Sequence, residues 1–190
     1  HQNDFVKGHV PQSIFIGLDG RFAPWVGALI GDVSQPLLII APEGREEETI
    51  IRLSRVGFDN VLGYLEGGFN TWEKANNECD FINNINALAL ESLMREVDVA
   101  IFDVRNESEF ISKNIKNSKN TPLDFINEHL NQFPEKDTFY INCSGGYRSV
   151  IASSILKKRG IHNLVNIQEG FKAIEATGIK LSDGICPTIH

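Results

Sequence analysis

The sequence predicts an α/β protein built from two small, mostly parallel sheets, each flanked by helices. Two observations support this prediction. Near the carboxyl end, an apolar run at residues 139–142 is followed by a glycine-rich loop and then by apolar residues at helical spacing over 149–159. In addition, residues 53–69 are similar to residues 156–171, so the chain repeats itself at an interval of about a hundred residues.

The first copy of the repeat, residues 1–80, is expected to be a structural domain. Its strand at 37–40 leads into Ala41, where the second copy has a cysteine. Acidic residues at 46–48 begin the next helix, where their negative charges interact favourably with the helix dipole and make binding of an external anion unfavourable. Counting back along the repeat puts this copy's first strand ahead of residue 1. We therefore predict an inactive domain that lacks its first strand.

The second copy, residues 81–183, is predicted to hold the functional site, and residues 184–190 form a polar tail. The stretch 76–87 is interpreted as the connection between the copies. Cys79 lies in this connection and Cys186 lies in the tail. The sequence leaves open whether either cysteine reacts with a modified Cys143.

Cys143 is the candidate nucleophile because it follows the strand at 139–142, and ligands of open α/β sheets bind at the carboxyl ends of strands. Gly145 and Gly146 permit the positive φ angles of a tight loop whose N–H groups point inward as an anion-binding nest. The positive end of the following helix and the Arg148 guanidinium would add to a field that favours a thiolate.

The length of this loop separates two chemistries. The spacing from Cys143 to Arg148 is Cys-x4-Arg, one residue shorter than the Cys-x5-Arg loop of protein tyrosine phosphatases. A shorter ring suits one terminal sulfur better than a tetrahedral phosphate. Sulfur transfer is therefore favoured over phosphate or arsenate chemistry, which needs a wider loop.

Three separate segments resemble the rhodanese family. Residues 101–105 and Glu109-Phe110 match the family's opening strand and its Asp-x-Arg pair, the Cys143 loop matches its active loop, and residues 160–171 match its closing segment. At residues 113–115 the chain has Lys-Asn-Ile, where the family commonly has Gly-His-Ile. The resemblance implies a sulfurtransferase.

The resemblance also implies roles for individual residues. Cys143 would carry sulfur as a persulfide, taken from thiosulfate or a low-molecular-weight persulfide and passed to a thiol or cyanide. Asp103 and Arg105 would form an ion pair that braces the loop, with Ser149 in support. The role of Tyr147 is left open, between flanking a bound thiol and capping the pocket. The residues expected to bind substrate are Ser144, Gly145, Gly146, Tyr147 and Arg148.

The first copy also resembles a rhodanese, because residues 8–11 read Gly-His-Val-Pro, as that family does. Such a tandem pair resembles the carboxyl-terminal region of bacterial metallo-β-lactamase-fold proteins fused to rhodaneses. The resemblance implies an upstream metallo-β-lactamase-fold domain in the same polypeptide as a partner. It also implies an alternative function, that of a non-catalytic docking or sulfur-carrier module for that persulfide-oxidising enzyme.

Composition excludes other classes of function. A net charge of −7 and the dispersed basic residues argue against nucleic acid as a partner. Histidines at positions 1, 9, 129, 162 and 190 are too scattered for a ligand set, so no metal is expected, and no other cofactor. The absence of a long apolar run argues against a membrane span. Cysteines without metal or disulfide spacing suit a reducing cytoplasm. Whether the chain forms a homodimer is left open.

Overall fold

The computed structural model describes residues 1–183 and shows an α/β architecture. The chain divides into two compact units, with the division between Phe81 and Ile82. We call them the amino-terminal unit and the carboxyl-terminal unit. The predicted tail, residues 184–190 with Cys186, lies outside the described residues. Within residues 1–183, no helix is both long and apolar enough to cross a bilayer.

The amino-terminal unit has a parallel pair of strands, β1 and β2, and a core of Leu18, Phe22, Val26, Leu53 and Phe58. The acidic residues 46–48 lie in the first turn of α3, as expected, where their negative charges interact favourably with the positive end of the helix dipole. The elements are α1 (Gln2–Lys7), α2 (Phe22–Leu29), β1 (Leu37–Ile39), α3 (Glu46–Ser54), β2 (Val61–Tyr64) and α4 (Gly68–Lys74).

The carboxyl-terminal unit is built on a parallel five-stranded sheet with the strand order β3-β8-β7-β4-β6, and a separate antiparallel pair is formed by β5 and β9. Short 3-10 helices lie at Leu123–Phe125 and Leu130–Gln132. The elements are β3 (Asn84–Ile85), α5 (Ala87–Glu96), β4 (Ala100–Asp103), α6 (Glu107–Ser112), β5 (Lys113–Ile115), β6 (Lys119–Asn120), β7 (Phe139–Asn142), α7 (Tyr147–Lys158), β8 (Leu164–Ile167), α8 (Gly170–Ile174) and β9 (Leu181–Asp183).

Both faces of the five-stranded sheet are packed, because successive residues of β4 point to opposite sides. Ile101 joins a core with Leu90 of α5 and Ile174 of α8. Phe102, on the other side, packs against the rings of Phe133 and Phe139 at centroid distances of 4.8 and 5.3 Å. The predicted class, an α/β fold with a mostly parallel central sheet flanked by helices, is confirmed.

The predicted connection at 76–87 is more ordered than expected. Asn84 and Ile85 form β3, which pairs in parallel with Asn166 and Ile167 of β8. Ile82 is also buried. The sequence hides this strand because it is only two residues long, and its order comes from the neighbouring strand rather than from local periodicity.

Candidate active site around Cys143

Cys143 lies at the carboxyl end of the central strand of the five-stranded sheet. Strand β7 ends at Asn142 and has β4 on one side and β8 on the other. Helix α7 begins at Tyr147, so the loop between strand and helix is short and directs the helix amino terminus towards the cysteine. The side chain is 1% exposed, which places the sulfur inside this loop.

The sulfur of Cys143 receives a main-chain hydrogen bond from the loop. The Gly146 N–H donates to Sγ at 3.1 Å, in a backbone conformation with a φ of 87° that glycine adopts without strain. The Cys143 thiol donates to Ser149 Oγ at 3.6 Å, and the Ser149 hydroxyl donates to the Gly146 carbonyl at 3.2 Å. A hydrogen bond from a main-chain amide stabilises negative charge on the sulfur more than it stabilises the neutral thiol.

A second segment, around residues 170–172, binds the main chain of the loop. Phe171 N–H donates to the Cys143 carbonyl at 2.7 Å, and Lys172 N–H donates to the Ser144 carbonyl at 3.1 Å. This approach requires glycine at position 170, which has a φ of 58° and where a Cβ atom would collide with the Cys143 carbonyl oxygen. The closing segment therefore positions the loop through main-chain contacts.

Asp103 and Arg105 form a buried ion pair on the adjacent strand end. Arg105 Nε donates to the Asp103 carboxylate at 3.0 and 2.9 Å, and Asp103 is aligned with Asn142 in the sheet register. The Arg105 guanidinium lies 3.9 Å from the ring centroid of Phe171. The ion pair thus supports the residue that binds the Cys143 carbonyl.

Arg148 forms a bidentate ion pair with Glu109. Its two terminal nitrogens donate to the two Glu109 oxygens at 2.6 and 2.8 Å. The hydrogen bonds from Arg148 hold the pKa of the Glu109 carboxyl below its usual range, and the same bonds raise the pKa of Arg148. A charge interaction with Cys143 is a further, smaller cause of the raised pKa of Arg148.

The family model for the rhodanese-like domain matches residues 86–177 of this chain. Residues 86–177 are a rhodanese-like domain. The "Putative sulfur carrier protein YrkF" of Bacillus subtilis is 30% identical over 94 residues, which cover 47% of this chain and 51% of that protein. The "Uncharacterized protein YqhL" of the same organism is 31% identical over 72 residues, covering 38% of this chain and 57% of that protein.

A solved structure agrees with the fold of this domain. The solution structure of a rhodanese-like domain from Anabaena has a TM-score of 0.50 and 21% identity, and the match covers 56% of this chain and 83% of that chain. At this identity the likeness concerns the fold alone. The chain spans about half the length of the curated relatives that it matches, 51% and 57%.

The rhodanese-like domain brings together most of the residues that the sequence singled out. Cys143, Gly146 and Ser149 are in direct contact around the sulfur. Ser144 and Tyr147 are half-buried members of the same loop, and Gly145 is exposed. The exposed Cys79 lies in the amino-terminal unit.

Arg148 is bound by a residue for which the sequence predicts no role. The sequence predicts that this guanidinium binds substrate, and in the structure both of its terminal nitrogens face Glu109. In the sequence, Glu109 belongs to a segment that resembles the rhodanese family, and no role is predicted for it. A local signal was present, because Asn106 and Glu109 form a capping box that begins α6. That signal predicts the helix start but not the Arg148 contact.

The departure from the family pattern at residues 113–115 leaves the brace intact. Arg105 donates a hydrogen bond of 2.7 Å to the main-chain carbonyl of Lys113, and Ile115 is fully buried. Because the contact uses the main chain, it does not depend on which side chain occupies position 113.

Proposed function

We propose that the rhodanese-like domain transfers sulfane sulfur and that Cys143 carries it as a persulfide. The observation that supports this most directly is the hydrogen bond of 3.1 Å from the Gly146 amide to Sγ, at the first turn of α7. A sulfur anion at this position is stabilised both by the hydrogen bond from the amide and by the positive end of the helix dipole. The naming of one relative as a sulfur carrier is consistent with this chemistry.

The reaction has two displacement steps. In the first, the Cys143 thiolate attacks the outer sulfur of the donor, a bond forms between Sγ and that sulfur, and the donor's sulfur–sulfur bond breaks with its electron pair on the leaving group. In the second, a thiol or cyanide attacks the terminal sulfur, and the electron pair of the Sγ–S bond returns to Cys143. The chain's own contribution is to hold the anion formed at each step.

Mass spectrometry of the full chain tests this proposal. After exposure to thiosulfate or to a thiol persulfide, the wild-type chain should gain about 32 Da, one sulfur atom, on the peptide with Cys143. The matched controls are Cys143→Ser, which should gain nothing there, and Cys79→Ser, which should behave as the wild type because Cys79 is in the other unit. Retained transfer by Cys143→Ser would refute the assignment.

The amino-terminal unit repeats several features of the Cys143 site, which supports a tandem arrangement. A Cβ atom at Gly68 would meet the Ala41 carbonyl oxygen at 2.6 Å, just as Gly170 faces the Cys143 carbonyl. Leu37 N–H donates to the Asn60 carbonyl at 2.9 Å, and Phe139 N–H donates to the Asn163 carbonyl at 3.1 Å.

From these parallels we infer that residues 1–80 are an inactive rhodanese-like domain, with Ala41 in the place of the cysteine, and that residues 81–183 are the active one. Limited proteolysis tests the boundary. A resistant fragment that begins near residue 81 and still takes up sulfur would support it. Loss of all structure on cleavage there would contradict it.

The alternative is a docking or sulfur-carrier module of a persulfide-oxidising enzyme with a metallo-β-lactamase fold. The repeat favours it, because the amino-terminal unit has no nucleophile at Ala41 and is therefore better suited to docking than to catalysis. Turnover separates the two functions. A sulfurtransferase produces thiocyanate or a new thiol persulfide catalytically, whereas a carrier exchanges one sulfur per chain and stops.

A further inference from the structure

Four charged side chains lie in and beside the Cys143 loop, and they are paired. Arg105 binds Asp103, and Arg148 binds Glu109 through both of its terminal nitrogens. Charge interactions also link the two pairs, because Arg105 contributes to the lowered pKa of Glu109 and Asp103 contributes to the raised pKa of Arg148. The group has no net charge, so a thiolate on Cys143 makes the site negative.

This balance matters because sulfur donors differ in charge. Thiosulfate is a dianion whose negative charge lies next to the sulfur under attack, and like charges at such short range repel more strongly in a partly buried site than in water. A small thiol persulfide brings at most one negative charge, and in the protonated form that donates its outer sulfur it brings none. A neutral group of side chains therefore favours the persulfide.

We propose that Glu109 sets the donor preference of Cys143: by occupying both terminal nitrogens of Arg148, it withholds the loop's cation from dianionic donors and makes a low-molecular-weight thiol persulfide the substrate class. This assignment rests on the proposed sulfur transfer. Glu109 is a positioning residue, since it acts through Arg148.

Both donors give balanced reactions. With a thiol persulfide, the bond between its two sulfurs breaks, the thiol leaves as a thiolate with the electron pair, and the proton stays on the outer sulfur now bound to Sγ. With thiosulfate, the same attack releases sulfite with the electron pair and leaves Cys143 as a persulfide anion. No oxidant or reductant is required in either case.

The charge of Glu109 can be removed without removing its cap. Its carboxylate accepts a hydrogen bond of 3.3 Å from the Asn106 N–H, and its own N–H donates to Asn106 Oδ1 at 2.9 Å. Glutamine fills the same capping position. Glu109→Gln therefore tests how the negative charge of Glu109 acts on Arg148, while the start of α6 is kept.

The experiment compares the wild type, Glu109→Gln and Glu107→Gln with two donors, thiosulfate and the persulfide of 2-mercaptoethanol. Glu107 is a matched control because it is exposed in the first turn of the same helix, and the described part of the chain shows no ion pair for it. Sulfur uptake by Cys143 is followed by mass spectrometry, and KM and kcat are determined for each donor.

Glu109→Gln should lower the KM for thiosulfate about tenfold, the worth of one charge-assisted hydrogen bond, with kcat and both persulfide constants changed less than about twofold. Glu107→Gln should match the wild type. Adding Arg148→Gln to Glu109→Gln should abolish the gain, because no cation is then left to release. If Glu109→Gln does not fold, Glu109→Asp serves instead, since its shorter side chain weakens the bidentate contact.

An unchanged KM for thiosulfate, or an equal change for both donors, would overturn the role of Glu109. An equal loss of activity with both donors would indicate structural support only, which also overturns it. If the wild type takes sulfur from neither donor, the proposed sulfur transfer itself has failed. That outcome is distinct from the first two.

Discussion

The Phe171 N–H donates a hydrogen bond of 2.7 Å to the Cys143 carbonyl oxygen. This bond joins the closing segment of the rhodanese-like domain to the candidate nucleophile. Because Phe171 also lies against the Arg105 guanidinium, and Arg105 binds the buried Asp103, the position of Cys143 depends on three segments distant in sequence.

Replacing Gly170 with alanine should disrupt the site. The new Cβ would collide with the Cys143 carbonyl, and the alanine would have to adopt a positive φ. Together these effects should cost about 1–3 kcal/mol in unfolding free energy. Sulfur uptake should fall with it. Denaturant unfolding measures the cost, and Gly160→Ala is the control, because Gly160 also has a positive φ but no atom within 4 Å of its Cβ position. Equal losses in both variants would show that the close approach to Cys143 has no consequence.

Replacing Asp103 with asparagine should strongly destabilise the carboxyl-terminal unit. Asp103 is fully buried, so the change leaves the Arg105 charge without its partner inside the protein, at a cost of about 3 kcal/mol. Asp19→Asn is the comparison, because Asp19 binds Arg45 through the same kind of contact on the surface and is 82% exposed. We expect no measurable change for Asp19→Asn in thermal unfolding. Similar shifts for the two variants would contradict the importance of burial.

The ion pair between Glu109 and Arg148 should make stability depend on pH. Arg148 lowers the pKa of Glu109 in the folded state, so the contribution is complete above the ordinary value of 4.5 and is lost as the pH falls through the lowered folded value. The pair is partly exposed, so a contribution of about 0.5–1 kcal/mol is expected. The measurement is the difference in unfolding free energy between the wild type and Glu109→Gln from pH 7 downwards. A difference that grows in acid would have the wrong sign.

Replacing Ser149 with alanine should slow sulfur transfer severalfold with little effect on stability. The change removes the hydroxyl that lies 3.6 Å from Sγ and binds the Gly146 carbonyl. Ser153→Ala is the matched control on the same helix, because its buried hydroxyl has no hydrogen-bond partner within the described chain and its removal should be neutral or stabilising. The rates of single-turnover sulfur uptake by the two variants are compared, and equal rates would show that Ser149 has no role in sulfur transfer.

The local parts of the site could be predicted because their signals are contiguous. Strand β7, with Cys143 at its end, follows from an apolar run and the glycines after it. The ion pair of Asp103 and Arg105 spans two positions in one strand end, so the sequence suggested that as well. Strand β3 could not be predicted, because two residues carry no periodicity.

The sequence by itself determined which residue is the candidate nucleophile, the class of fold and the loop that holds the sulfur, since each depends on neighbours within a few positions. Only the tertiary structure decided that Arg148 binds Glu109, 39 residues away, and that Gly170 must be glycine to let a second segment approach Cys143. Those contacts arise where the ends of separate strands and helices meet at one edge of the sheet. Which charges pair there depends on distance in space, and residue order along the chain does not contain that distance.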